Sequence, residues 1–168
     1  MNRSPTLWHA ESQGQCTGAV IVGRYRYTLW RRWNDAQPCV LFIMLNPSEA
    51  NEVKNDPTLR RCIGFAQSWG YGSLEVVNLF AYISSDPSTL KQVEDAVGAE
   101  NDVYIQQAIT NVALIVCAWG ACKHIGQRDG DVLHLLNERE AHCLGRTQGG
   151  FPRHPLYLAR ETALVRYS

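Results

Sequence analysis

The chain has 168 residues, enough for one domain with its own core, and its formal net charge is zero. A composition of 45% hydrophobic and 19% charged residues is that of an ordinary globular protein and excludes extended disorder. Zero net charge excludes a protein that coats nucleic acid by bulk charge, and the longest apolar runs, six or seven residues, fall far short of the roughly 20 that span a bilayer.

The first eighteen residues are weakly patterned and read as an N-terminal arm. No apolar segment follows residues 1–4 in the manner of a secretory leader, so a cytoplasmic protein is expected. Residues 19–168 read as a single α/β domain. Residues 19–22 and 25–33 predict two strands around Gly23, a β-hairpin. The alternation Arg24-Tyr25-Arg26-Tyr27 is that of an edge strand with one wet face. Residues 40–45 are continuously apolar, as in a strand covered on both faces, and Asn46-Pro47-Ser48 stops them.

Asp56-Pro57-Thr58 reads as a helix start, with aspartate as N-cap and proline in the first turn. Leu59, Cys62, Ile63 and Ala66 follow at helical spacing, and Gly70 and Gly72 end that helix. Residues 74–80 predict a strand and 84–88 a loop. Asn101-Asp102 reads as the cap of a helix carrying Val103, Ile105, Ile109 and Val112. Residues 113–118 predict the next strand. A turn at Gly120-Ala121-Cys122 leads to a helix with Val132, Leu133, Leu135 and Leu136. Residues 142–144 form a short strand, and 156–165 read as a last helix. This order implies a three-layer α/β/α sandwich around a mainly parallel four-stranded sheet, with the N-terminal hairpin added at one edge.

Six cysteines stand at Cys16, Cys39, Cys62, Cys117, Cys122 and Cys143. None shows the Cys-x-x-Cys spacing of a zinc or redox site, and Cys39 and Cys117 fall in or beside strands, where a thiol is a small core hydrophobe. His124, His134 and His142 show no ligand spacing. No metal and no cofactor is expected.

Three apolar segments end at polar or turn-forming residues: Asn46-Pro47-Ser48, Asn78, and Trp119-Gly120. Arg153-His154-Pro155 follows the last strand. In open α/β sheets, ligands sit outside the carboxyl ends of the strands. Asn46, Ser48, Asn78, Trp119 and His154 are therefore the primary site candidates.

The signatures Asn46-Pro47-Ser48, Asp56-Pro57-Thr58, Asn78-Leu79-Phe80-Ala81, Ala118-Trp119-Gly120 and Arg153-His154-Pro155-Leu156 resemble those of DUF1643, a family of bacterial and phage proteins. The likeness spans about residues 20–160. The same motifs, in the same order, remotely resemble the uracil-DNA glycosylase superfamily. That resemblance implies a DNA glycosylase-like hydrolase in base excision repair, acting on a uracil-like or modified base. Its partner would be DNA, single-stranded or carrying a modified base, or else a free nucleotide. It also implies a glycosylase-like sheet, with Asn46 and His154 as catalytic groups and Asn78 as the reader of the base.

The chemistry fits those roles. Cleaving an N-glycosidic bond needs a positioned water, a reader of the base edge and a donor near the charge developing on the base. The Asn46 carbonyl suits the first, the Asn78 amide the second, and a neutral His154 imidazole the third. Phe80 or Trp119 would form an apolar wall. Pro47 and Ser48 complete the first turn, and Arg153 suits a phosphate. An amide cannot act as a general base. Asn46 stands where efficient glycosylases have aspartate, and Asp56 is the carboxylate available to replace it, unless it serves only as a helix cap. A base-binding module without turnover is the alternative.

Overall fold

A computed structural model describes residues 10–12, 15–123 and 125–168. Most of the expected arm, and His124, lie outside the described residues. The chain is a mixed α/β protein built on one sheet. The strands are β1 (Ala10–Ser12), β2 (Gln15–Val22), β3 (Tyr25–Arg32), β4 (Cys39–Met44), β5 (Ser73–Asn78), β6 (Leu114–Cys117), β7 (His142–Cys143) and β8 (Val165–Arg166). The helices are α1 (Pro57–Ser68), α2 (Asn101–Thr110) and α3 (Arg128–Leu135). The spatial order of the strands is β1-β2-β3-β5-β4-β6-β7-β8. Neighbours among β5, β4, β6 and β7 run parallel, while β1, β2, β3 and β8 join antiparallel.

The run in β4 is continuously apolar because both of its faces are covered. Leu41 and Ile43 pack with Ile105 and Ile109 of α2 and Val132 of α3. Val40, Phe42 and Met44 pack with Leu59, Cys62 and Phe65 of α1. The chain leaves β4 for one face of the sheet, and leaves β5 and β6 for the other. A crevice therefore opens at the carboxyl end of β4, where this divergence occurs.

Asp56 caps α1 as its sequence position predicts, accepting the Leu59 N–H at 2.7 Å. The hairpin β2–β3 extends one edge of the parallel strands as expected, because β3 pairs with β5. Three expectations are corrected. The segment Arg24–Tyr27 is no wet edge, and Arg26 is 5% exposed. Asn101 and Asp102 do not cap α2: Asn101 turns inward and donates to the Asn78 and Leu79 carbonyls. Residues 156–165 form no helix. Tyr157 takes a left-handed backbone at φ 68°, which no α-helix tolerates. The Leu158 carbonyl is bound by the Arg61 guanidinium, and the segment ends in β8.

No described helix is long and apolar enough to cross a membrane.

Candidate functional site

The crevice contains a cavity of about 200 Å³. Met44, Leu45, Asn46 and Ser48 enter it from the end of β4, Asn78 from the end of β5, and Trp119 from beyond β6. Asp56, Thr58 and Leu59 reach it from the start of α1, His154 from the loop after β7, and Arg26 and Leu29 from β3. Six of the nine sequence candidates thus share one space: Asn46, Ser48, Asp56, Asn78, Trp119 and His154.

The other three sit elsewhere. Pro47 is buried beside the cavity, its carbonyl accepting the Asn46 side chain and the Ser84 N–H. Phe80 packs in the core with Leu79 and Leu90. Strand β5 ends at Asn78, the chain bends, and the ring turns away from the cavity. Arg153 is exposed and lies along Gly145. Phe80 therefore supplies no ring wall to this cavity, and Arg153 does not line it.

Each polar group is held in a defined state. The Asn46 Nδ2 donates to the carbonyls of Ser84 at 2.8 Å and Pro47 at 3.1 Å, which leaves Oδ1 as the free acceptor. The Asn78 side chain is 1% exposed. Its Oδ1 accepts Nη2 of Arg26 at 3.3 Å, which leaves Nδ2 as the donor. The His154 Nδ1 accepts the Leu156 N–H at 3.2 Å, so the neutral ring carries its proton on Nε2. Burial lowers the pKa of His154 from its ordinary value, and the charge of Asp56 partly opposes that. Gly120, at φ +74°, sits against His154: a Cβ there would lie 3.3 Å from the His154 Cβ. Trp119 closes the wall, 2% exposed and edge-on to Tyr167.

Asp56 commits Oδ1 to the Leu59 N–H, and Oδ2 has no hydrogen-bond partner among the described residues. The loop that delivers it is stapled by Arg31, which donates to Asn55 Oδ1 at 2.8 Å and to the Asn51 and Lys54 carbonyls.

Arg26 is the residue that sequence reasoning missed. It donates to the Ala50 carbonyl at 2.8 Å and to Asn78, while Nε is buried without a partner. Burial pulls its pKa down to about 10; Asp56 opposes the shift and Arg31 adds to it. The alternation with tyrosines marked Arg26 as facing one side of a strand. Only the packing of Ala50 and Asn78 against this side reveals that it is interior.

A family model described as a protein of unknown function (DUF1643) matches residues 26–156. The chain belongs to the DUF1643 family. The matched region begins at Arg26 and includes every residue lining the cavity, so the site lies wholly within the DUF1643 part of the chain. No curated protein and no solved structure matches the chain. Among the described residues, no group of three or more histidine, cysteine, aspartate or glutamate side chains is placed to hold a metal ion.

Proposed function

We propose that this protein is a glycosylase-like hydrolase that cleaves the N-glycosidic bond of a uracil-like or modified base in DNA or in a nucleotide. The reading is carried by one observation: two asparagine amides, an imidazole and a carboxylate, drawn from distant parts of the chain, border a single cavity. Its volume of about 200 Å³ lies below the roughly 300–1,000 Å³ of sites for drug-sized ligands, and suits one flat ring rather than a whole nucleotide. The sugar would stay outside, as it does when a base is flipped from a duplex.

The bond breaks with its electron pair passing to the base nitrogen. A water, donating an O–H to Asn46 Oδ1 or Asp56 Oδ2, bonds through its oxygen to the sugar carbon. Its proton goes to the Asp56 carboxylate and then to solvent. The departing base, held by Asn78 Nδ2–H and His154 Nε2–H, takes a proton from solvent. Asn46 itself cannot accept the proton, because its Nδ2 is bound to two carbonyls and its amide is not basic.

That last fact favours the second reading, a base-binding module without turnover. Abasic-site formation on oligonucleotides carrying uracil, mismatched thymine, hypoxanthine or oxidised bases separates the two. Turnover that is lost in Asn46→Ala and His154→Ala supports the hydrolase. Base-dependent binding with no alkali-labile product supports the module.

A further inference from the structure

We propose that the cavity binds its base as an anion, a deprotonated oxo-substituted heterocycle, and that Arg26 is the cation facing it. This deepens the proposed function and rests on its base-binding cavity.

The fold treats its three buried arginines differently. Arg128 reaches the Asp102 carboxylate at 2.5 Å and donates Nε to the Leu79 carbonyl. Arg31 has three backbone carbonyls and the Asn55 side chain. Arg26 has only the Ala50 carbonyl and the Asn78 amide oxygen, its Nε has no partner, and no carboxylate among the described residues reaches ion-pair distance. A buried cation left in that state is costly. Of the three, Arg26 alone borders this cavity.

The remaining groups agree. Asn78 Nδ2 and His154 Nε2 are donors, so they and the guanidinium form a donor-rich wall. Asp56 is the one carboxylate that borders the cavity and opposes an anion there; its Oδ1 accepts the Leu59 N–H, and three donor groups stand against its free Oδ2. Arg31 adds positive charge from the same strand. Such a wall favours negative charge on oxygens conjugated through the ring, which is where the electron pair arrives when the glycosidic bond breaks. A fixed cation costs no reorganisation at that moment.

The test uses 5-nitrouracil, whose nitro group makes it ionise far below thymine, in mild acid, with a change in absorbance, so one molecule supplies both charge states. Thymine, neutral over the same pH series, controls for other titrations in the site. Binding of 5-nitrouracil should lower the pH at which it ionises. Arg26→Gln should abolish that displacement and weaken the anion about tenfold or more, a clearly larger loss than thymine suffers from the same variant. Should Arg26→Gln fail to fold, Asn78→Asp supplies a carboxylate that pairs with Arg26, and it should erase the displacement too. Ionisation of bound 5-nitrouracil at its free value, or a displacement that persists in the folded variants, overturns the inference and leaves the base cavity standing. If neither 5-nitrouracil, uracil nor thymine binds, the base reading itself fails, and the inference with it.

Discussion

Nη2 of Arg26 donates to Oδ1 of Asn78 at 3.3 Å and thereby decides what the strand-end asparagine offers the cavity. Without that bond the amide could present either end. Both residues are buried, so losing the acceptor strands a charged donor away from water. Asn78→Ala is expected to destabilise the fold by about 1–3 kcal/mol. Asn78→Asp, which keeps an acceptor for Arg26, should cost clearly less. Urea unfolding of the two variants measures this. Equal stability of Asn78→Ala and the parent would show that the bond does not hold the fold.

The turn at Gly120 is coupled to His154 by space rather than by a bond. A side chain at φ +74° is strained, and its Cβ would press on the His154 Cβ at 3.3 Å. Gly120→Ala should cost about 1–2 kcal/mol from the backbone alone. It should also reduce activity or base binding more than His154-independent stability loss explains. Comparison with a variant of equal Tm loss remote from the cavity isolates the second effect.

The strand-end residues were legible because a strand buried on both faces is a short apolar run, and its end is marked by the first polar residue. Asn46 and Asn78 are found that way, and Asp56 by its helix cap. Arg26 was not legible, since a period of two fixes which side a residue faces but not what covers that side. What covers it comes from the loop after β4 and the end of β5, whose Ala50 carbonyl and Asn78 side chain accept from its guanidinium. Phe80 was misassigned for a related reason: the alternation stops at Asn78, and the bend puts Leu79 and Phe80 together in the same part of the core. The missing C-terminal helix turns on the left-handed Tyr157, for which a tyrosine gives no local signal.

Asp56 carries two duties that substitution can separate. As N-cap it accepts the Leu59 N–H, which asparagine can do as well. Asp56→Ala should lose about 0.5–2 kcal/mol, whereas Asp56→Asn should keep near-parent stability. If Asp56 accepts the proton from water, abasic-site formation is lost in both. Turnover retained in Asp56→Asn would leave the carboxylate as a cap and nothing more.

His154 should stay neutral to a lower pH than a free imidazole does. Burial lowers its folded pKa, with Asp56 partly opposing, so the folded state takes up a proton later than the unfolded chain does as pH falls. Its contribution to stability is then complete above about pH 6.5 and is lost as pH drops through the folded value. Protonation also sets an Nδ1–H against the Leu156 N–H. The acid limb of base binding should have its midpoint below about pH 6.5, the ordinary imidazole value. The decline should be absent in His154→Phe. A midpoint at or above that value in the parent would contradict the lowered pKa.

Glu75 offers a test on the opposite face of the same strand. In β5, Leu74, Val76 and Asn78 face one side and Glu75 and Val77 the other. Burial raises the pKa of Glu75, and the Thr28 hydroxyl, donating at 2.7 Å, partly offsets this. The folded state therefore holds the Glu75 proton more tightly than the unfolded chain. The charged carboxylate costs stability as pH rises through the usual carboxylate range, and the cost persists above the raised folded value. Glu75→Gln keeps an acceptor for Thr28 and removes the charge. Its Tm should exceed the parent's by a few degrees at neutral pH, and the gain should vanish below about pH 4. Because Asn78 faces the other side, base binding should be unchanged. A lower Tm at neutral pH would show that the Thr28 bond outweighs the burial of the charge.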